Sequence, residues 1–237
     1  MDDGDSQITG RTAPHFVRAL FNDTAPHYDT VNQVFSLGSG NWYRRRCLRR
    51  AGLAPGHRLL DVAIGTGLIA AAALRIVGPT GAVVGIDLSE AMLAECRRKL
   101  DIPLIQGLAD RLPLGDGMVD VVTMGYAIRH IDDLEACFRE FHRVLKPGGQ
   151  VGILDFSEPD GLFGKLYQVY FRHVLPVIGR LIGGKDSAYN YLPASVSKFP
   201  PPAEMLAMMR EAGFAEVRWT PYTFGIAGLF TGVRAIN

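Results

Sequence analysis

Two glycines and a set of spaced carboxylates mark where this 237-residue chain could do chemistry. The glycines lie in Arg58-Leu-Leu-Asp61-Val-Ala-Ile-Gly65-Thr-Gly67-Leu68. Leu59, Leu60 and Val62 form an apolar run too short for a helix, and the glycines then break it, which predicts a buried strand followed by a turn. Residues 69–76 are rich in alanine and leucine and suit a helix packed on a sheet. Such a strand–turn–helix presents free backbone N–H groups at a helix start, where a polar ligand can come close because glycine has no side chain. The competing reading is a tight turn with no ligand. Asp87 falls at the end of the next expected strand, where a carboxylate would bind a pair of ribose hydroxyls. Asp61 precedes the turn, and Asp110 follows the third strand beside Leu112-Pro113.

The elements that must position these groups alternate. Strand 59–63 leads to helix 68–77, and Pro79-Thr-Gly81 turns into strand 83–88. Ser89 caps a helix over 90–100, with Glu90 in its first turn. Strands follow at 103–106 and 119–126. A helix over 132–145 carries Leu134, Phe138, Phe141 and Leu145 on one face, and Lys146-Pro-Gly-Gly149 stops it. Strand 151–156 completes a β-α-β-α series, hence a doubly wound, mostly parallel sheet. A helix over 203–212, then strands 217–224 and 228–233, close the chain with an antiparallel pair. Upstream, residues 16–21 start a helix, residues 22–29 read as a turn-rich segment, and residues 42–50 read as a helix. The last holds Arg44, Arg45, Arg46, Arg49 and Arg50, as a solvated face or for an anionic partner such as phospholipid headgroups. The whole reads as a single α/β domain: an N-terminal helical cap (1–55), a cofactor-binding core (56–160), a helical insert (161–200) and a C-terminal helix with its strand pair (201–237).

Composition narrows the classes. Hydrophobic residues make up 48% and charged residues 21%, so a substantial core is available and disorder is not expected. A net charge of +1 argues against a general nucleic-acid binder. Cys47, Cys96 and Cys137 are far apart and odd in number, which fits a reducing cytosol and neither a disulfide framework nor a metal site. No signal segment or long apolar run stands out, so the expectation is a cytoplasmic protein. Composition is compatible with a homo-oligomer and does not set the oligomeric state.

Gly65-Thr-Gly67-Leu-Ile-Ala70 fits the dinucleotide fingerprint G-x-G-x-x-G/A, and Asp87 would serve a dinucleotide or S-adenosylmethionine equally. A nicotinamide enzyme needs a second mononucleotide-binding half, which the chain after Asp155 is too short to supply. A helix followed by two adjacent strands is how class I methyltransferases close their sheet, so S-adenosylmethionine is the expected cofactor.

The chain resembles the ubiquinone/menaquinone-biosynthesis C-methyltransferase family over nearly its whole length. The resemblance is carried by Phe21-Asn-Asp-Thr-Ala-Pro-His-Tyr28-Asp29, Leu60-Asp-Val-Ala-Ile-Gly-Thr-Gly67, Arg143-Val-Leu-Lys-Pro-Gly-Gly149, Leu154-Asp-Phe-Ser157, Tyr189-Asn-Tyr-Leu192 and Met208-Met-Arg-Glu-Ala-Gly-Phe214. Three departures stand out. Ile64 replaces the usual glycine and is expected to add bulk beside the cofactor turn. Leu108 replaces an asparagine or aspartate that would hydrogen-bond the adenine. Tyr126-Ala-Ile-Arg129-His130 replaces Phe-Gly-Leu-Arg-Asn, keeping the arginine and exchanging asparagine for histidine.

The resemblance implies methyl transfer from S-adenosylmethionine to the ring of a polyprenylated benzoquinol or naphthoquinol. It places the cofactor on Asp61, Ala63, Gly65, Thr66, Gly67, Asp87, Leu88, Met92, Ala109, Asp110 and Tyr126. His130 is the candidate for acid–base work, with Arg129 holding a water or ring oxygen; alternatively His130 caps the helix at Asp132. Tyr28, Tyr189 and Tyr191 are expected to bound the substrate or to pack as core tyrosines. Residues 163–182, acid-free, basic and apolar, suit a lid over a prenyl tail, a peripheral membrane contact or a buried helix pair. Two other functions fit the same residues. One is a rhodoquinone-forming exchange of a ubiquinone methoxy for an amino group, with S-adenosylmethionine as nitrogen source and Mn²⁺ required. The other is a non-catalytic scaffold of a quinone-biosynthesis complex.

Overall fold

A computed structural model of the chain describes residues 14–35, 39–157 and 199–236. Residues 163–182, Tyr189 and Tyr191 lie outside them. Seven strands form one sheet: β1 (Arg58–Val62), β2 (Ala82–Asp87), β3 (Leu104–Gln106), β4 (Val119–Gly125), β5 (Leu145–Phe156), β6 (Phe214–Tyr222) and β7 (Ala227–Arg234). Their order is β3-β2-β1-β4-β5-β7-β6. Strands β1 to β5 run parallel, and β7 lies antiparallel between β5 and β6.

Alternation along the central strands explains why helices cover both faces. Leu59, Val83 and Val121 point to one face, where α4 (Leu68–Val77) and α5 (Glu90–Arg97) bring Ile69, Ala70, Ala73 and Leu93. Leu60, Val62 and Val122 point to the other, where α6 (Leu134–Val144) and α7 (Pro202–Glu211) bring Phe138, Phe141, Met205 and Met209. Upstream, α1 (Pro14–Thr24) packs on α5, and α3 (Gly40–Arg50) packs on α4 and β5. Gly152 permits that last approach, because a Cβ there would stand 2.8 Å from Ala51 Cβ and 3.2 Å from Cys47 Sγ.

Three expectations need correction. Residues 22–29 are largely helical: α1 runs to Thr24, a 3-10 turn spans Ala25–His27, and α2 (Tyr28–Phe35) follows at once. Pro26 falls in the first turn of a helix, where its missing N–H costs nothing. Helix α6 ends at Val144, and Lys146-Pro-Gly-Gly149 belongs to β5. Lys146 precedes a proline and is pushed to extended backbone. The register against β4 then slips between Val119 and Val121. Finally, β6 begins at Phe214, which is buried, and ends at Tyr222; residues 223 and 224 fall in a turn.

Ile64 does not crowd the cofactor turn. Its side chain is buried in the core on the α4 and α5 face, over Gly85 of β2. A Cβ at Gly85 would lie inside van der Waals contact of Ile64 Cδ1 and 2.7 Å from Leu104 Cδ2. Gly85→Ala is therefore expected to destabilise the protein by about 1–3 kcal/mol through overpacking. Ile64→Val, which removes the clashing methyl, should recover part of that loss in a double-mutant cycle read by urea denaturation. A purely additive pair of effects would show that Ile64 does not rest on Gly85.

Candidate functional site

At the end of β1 the chain turns through Ala63, Gly65 and Gly67, with φ of 53°, 56° and 87°. Gly67 caps α4 in the left-handed region, and a Cβ there would strike Cys96 and Leu100. Gly65 has nothing within 4 Å of where its Cβ would be, so the turn leaves open space on its cavity side. One Asp87 oxygen accepts from Gly65 N at 2.8 Å, and the other from Ser89 N at 2.8 Å. A carboxylate offers about four acceptor sites, so both oxygens retain capacity for a ligand's hydroxyls. Burial raises the Asp87 pKa, and the N–H groups of Ser89, Gly65 and Leu88 oppose that rise.

These groups open onto one cavity at the carboxyl ends of β1, β2 and β4, where the strand order reverses. Ala63, Gly65, Asp87 and Leu88 line one side. Met92 from α5, with Ala109 and Asp110 from the loop after β3, forms the floor. Tyr126 and His130 face it from beyond β4, and Tyr28 reaches it from α2. Leu108 also lines this cavity and is exposed.

The N-terminal helices roof it. Arg18 of α1 makes two hydrogen bonds to Glu90, at 2.8 and 2.9 Å. Asn22 Oδ1 accepts from Ser89 Oγ at 2.6 Å, while Ser89 Oγ caps α5 by accepting from Met92 N. Asp29 of α2 joins Thr66 Oγ1 and Lys99 Nζ, each at 2.5 Å. Thr66 thus ties the roof to the glycine turn from outside the cavity. Val17 and Phe21 line the cavity and were not anticipated as site residues. Phe21 stands at the head of the Phe21–Asp29 motif, which was a signal that could have found it.

His130 is buried against Phe21, its ring edge-on with centroids 5.3 Å apart. Burial first, and the neighbouring Arg129 charge second, hold its pKa well below the usual imidazole value. It is therefore a neutral acceptor at physiological pH. Helix α6 is capped by Asp133, whose carboxylate accepts from Ala136 N at 2.8 Å. Arg129 lies outside the cavity lining: its guanidinium pairs with the buried Asp155 carboxylate, donates to Tyr126 O at 2.8 Å and stacks 5.4 Å over Phe156. Tyr126 has φ of 60°, uncommon for a bulky residue, and Arg129 holds that backbone in place.

Asp61 also lies behind the cavity. It accepts from Thr123 Oγ1 at 2.8 Å and from the Ala70 backbone, and so braces β1, β4 and α4. Thr66, Gly67, Asp61 and Arg129 thus shape the site from its second layer, while the remaining described candidates line it.

A glycine turn with a carboxylate at the end of β2, on a sheet closed by an antiparallel β7, defines the class I S-adenosylmethionine-dependent methyltransferase fold. A nicotinamide-binding sheet of order 3-2-1-4-5-6 would be parallel at that edge. Solved structures agree on the fold. An S-adenosylmethionine-dependent methyltransferase from Aquifex aeolicus superposes with a TM-score of 0.61 at 19% identity, over 81% of this chain and 89% of that one. The [4+2]-cyclase SpnF superposes with a TM-score of 0.72 at 16% identity, over 96% and 98%. Residues 9–234 match the ubiE/COQ5 methyltransferase family, and the chain belongs to that family. A demethylmenaquinone methyltransferase of Thermus thermophilus is 42% identical over 91% of this chain and 100% of its own. The ubiquinone/menaquinone biosynthesis C-methyltransferase UbiE of Syntrophotalea carbinolica is 40% identical over 92% of this chain and 94% of its own.

Burial lifts the Asp61 pKa to about 7 from its ordinary value of 3.8. A carboxyl whose folded pKa is raised contributes stability that is complete below the unfolded pKa and lost as pH rises through the folded one. Wild-type protein is therefore expected to lose stability relative to Asp61→Asn between about pH 4 and 7, by roughly 1.4 kcal/mol per pH unit. Urea denaturation of both at pH 4.5 and 8 reads this difference; a constant difference would show that Asp61 ionises normally.

Proposed function

We propose that this protein transfers a methyl group from S-adenosylmethionine to a ring carbon of a polyprenylated quinol, in the cytoplasm beside the membrane that holds its substrate. The observation that carries the reading is one continuous cavity joining the Asp87 and Gly65 cradle to a chamber walled by Phe21, Tyr28, Tyr126 and His130. The end-to-end likeness to demethylmenaquinone methyltransferases supports the substrate class. The residues present fit the donor: Asp87 would take its ribose hydroxyls, and Leu88, Met92, Ala109 and Asp110 would receive its adenine. When bound, S-adenosylmethionine supplies an activated methyl for displacement by a carbon nucleophile.

The chain's own residues then have three tasks. Phe21, Tyr28 and Tyr126 hold the quinol ring flat and exclude water, so that the ring carbon and the methyl lie in line. Such positioning contributes roughly 7–11 kcal/mol, whereas a general base contributes about 10²–10⁴-fold. Positioning is therefore the larger effect. His130 accepts a hydrogen bond from the ring hydroxyl and draws electron density toward the reacting carbon. Its low basicity, with Arg129 alongside, disfavours a full imidazolium, so it polarises the hydroxyl more than it strips it. Transfer would exchange the ring hydrogen, lost as a proton, for the methyl group and leave S-adenosylhomocysteine as the second product. Arg129 acts as a positioning residue by fixing Tyr126. The reported relatives are named for methyl transfer, and neither amino exchange nor a silent scaffold gains an observation here.

Incubating the protein with S-adenosylmethionine and a short-tailed demethylmenaquinol should yield a product heavier by one methyl group, with S-adenosylhomocysteine in equal amount. His130→Ala should lower kcat on the order of 10²-fold while cofactor affinity changes little. An unmodified quinol, or a methoxy-to-amine exchange on ubiquinone, would contradict the reading.

A further inference from the structure

The strand pair β6–β7 turns at Thr223–Gly225, beside the start of α3. The Tyr43 and Thr223 hydroxyls share a hydrogen bond there, and the rings of Trp42 and Tyr43 pack 5.7 and 5.6 Å from Tyr222. Around this junction large aromatic surface faces water: Trp42 is 50% exposed and Phe224 is 81% exposed. The backbone is strained to do so. Thr223 and Phe224 have φ of 45° and 57°, a region that non-glycine residues rarely adopt. Glycine, or a polar residue such as asparagine, would make the same turn at less cost. The strain holds a phenylalanine outward, where it adds little to the core.

The surroundings are basic. Between residues 36 and 60 there is no aspartate or glutamate. Arg45, Arg46, Arg49 and Arg50 of α3 are exposed, and Arg46 lies 5.5 Å over the Trp42 ring. The turn also sits on the carboxyl edge of the sheet, since Ala227 pairs with Phe156 at the end of β5. Tyr43 and Tyr222 share a core cluster with Tyr126, which lines the cavity. The aromatic patch and the site thus occupy one rim of the molecule.

We infer that Trp42, Phe224 and the α3 arginines form a docking surface for an anionic phospholipid bilayer. The aromatic rings enter the boundary between headgroups and acyl chains, and the guanidinium groups rest on lipid phosphates. With Phe224 81% and Trp42 50% exposed at this junction, apolar surface next to arginines favours a bilayer, and a net charge of only +1 argues against a nucleic acid. Each arginine near such a surface is worth about 1 kcal/mol, or roughly fivefold in binding.

The full chain is tested by flotation with vesicles of phosphatidylcholine alone or mixed with phosphatidylglycerol. Binding to the mixed vesicles, lost in high salt, is the expected result. Arg45→Gln with Arg49→Gln should weaken it about 25-fold, and both side chains project into solvent, so their exchange leaves the core intact. Phe224→Ser should weaken binding as well. Vesicles with brominated acyl chains should quench Trp42, and Trp42→Phe should abolish that quenching. Failure of the wild-type chain to float with anionic vesicles, equal flotation of the arginine variant, or an unquenched Trp42 on bound protein would each overturn the inference. None of these outcomes touches the methyl-transfer proposal, which is read with a short-tailed quinol in free solution.

Discussion

The Asp87 carboxylate is the constraint on which the rest of the site depends. Its two oxygens hold Gly65 N and Ser89 N, and so lock the turn after β1 to the turn after β2. Without that bridge the two loops on this side of the cavity would be free to separate. The bridge also explains the glycines: a left-handed Gly65 turns its N–H toward the carboxylate while leaving the cavity side clear. Ser89 extends the same network to α1 through Asn22, so roof and floor are joined by one chain of polar contacts.

A second layer sets the electrostatics. The Arg129–Asp155 pair is almost fully buried, and removing one partner alone would leave an uncompensated charge, at a cost of about 3–5 kcal/mol. Its position fixes the Tyr126 backbone and places a positive charge beside His130. A neutral, weakly basic imidazole in an aromatic chamber suits a reaction in which alignment does most of the work. Asp61 plays a comparable part behind the glycine turn, bonded to β4 and α4 and protonating near neutrality.

The order of strands and helices could be read from hydrophobic periodicity, because each central strand serves two cores and each helix carries one apolar face. Asp87 and Gly65 were also readable from motif and topology, and the family resemblance added Met92, Ala109 and Tyr126, which line the same cavity. What escaped was direction. Ile64 looked like bulk in the cavity, but sequence spacing does not show that Gly85 offers it a niche on the opposite side. Arg129 looked like a ligand-facing group, whereas Asp155, a helix and most of a strand later, claims its guanidinium. The N-terminal cap was legible as a cap but not in its reach: Val17 meets the cavity through packing of α1 on α5 that no local pattern encodes, while Phe21 heads a motif that pointed to it. Lys146-Pro-Gly-Gly149 resembled a helix stop, and only pairing with β4 shows it to be the start of a strand.

Isothermal titration of S-adenosylmethionine into wild-type protein and Asp87→Asn addresses the cradle itself. The amide keeps the shape of the carboxylate but removes its charge and one acceptor oxygen, and a hydrogen bond to a charged group is worth about 1.5–3 kcal/mol. Wild-type protein should bind the cofactor, and the variant should bind it roughly 10- to 150-fold more weakly while remaining folded. Equal affinity in the two proteins, or no binding by either, would contradict a cofactor held by its ribose on Asp87.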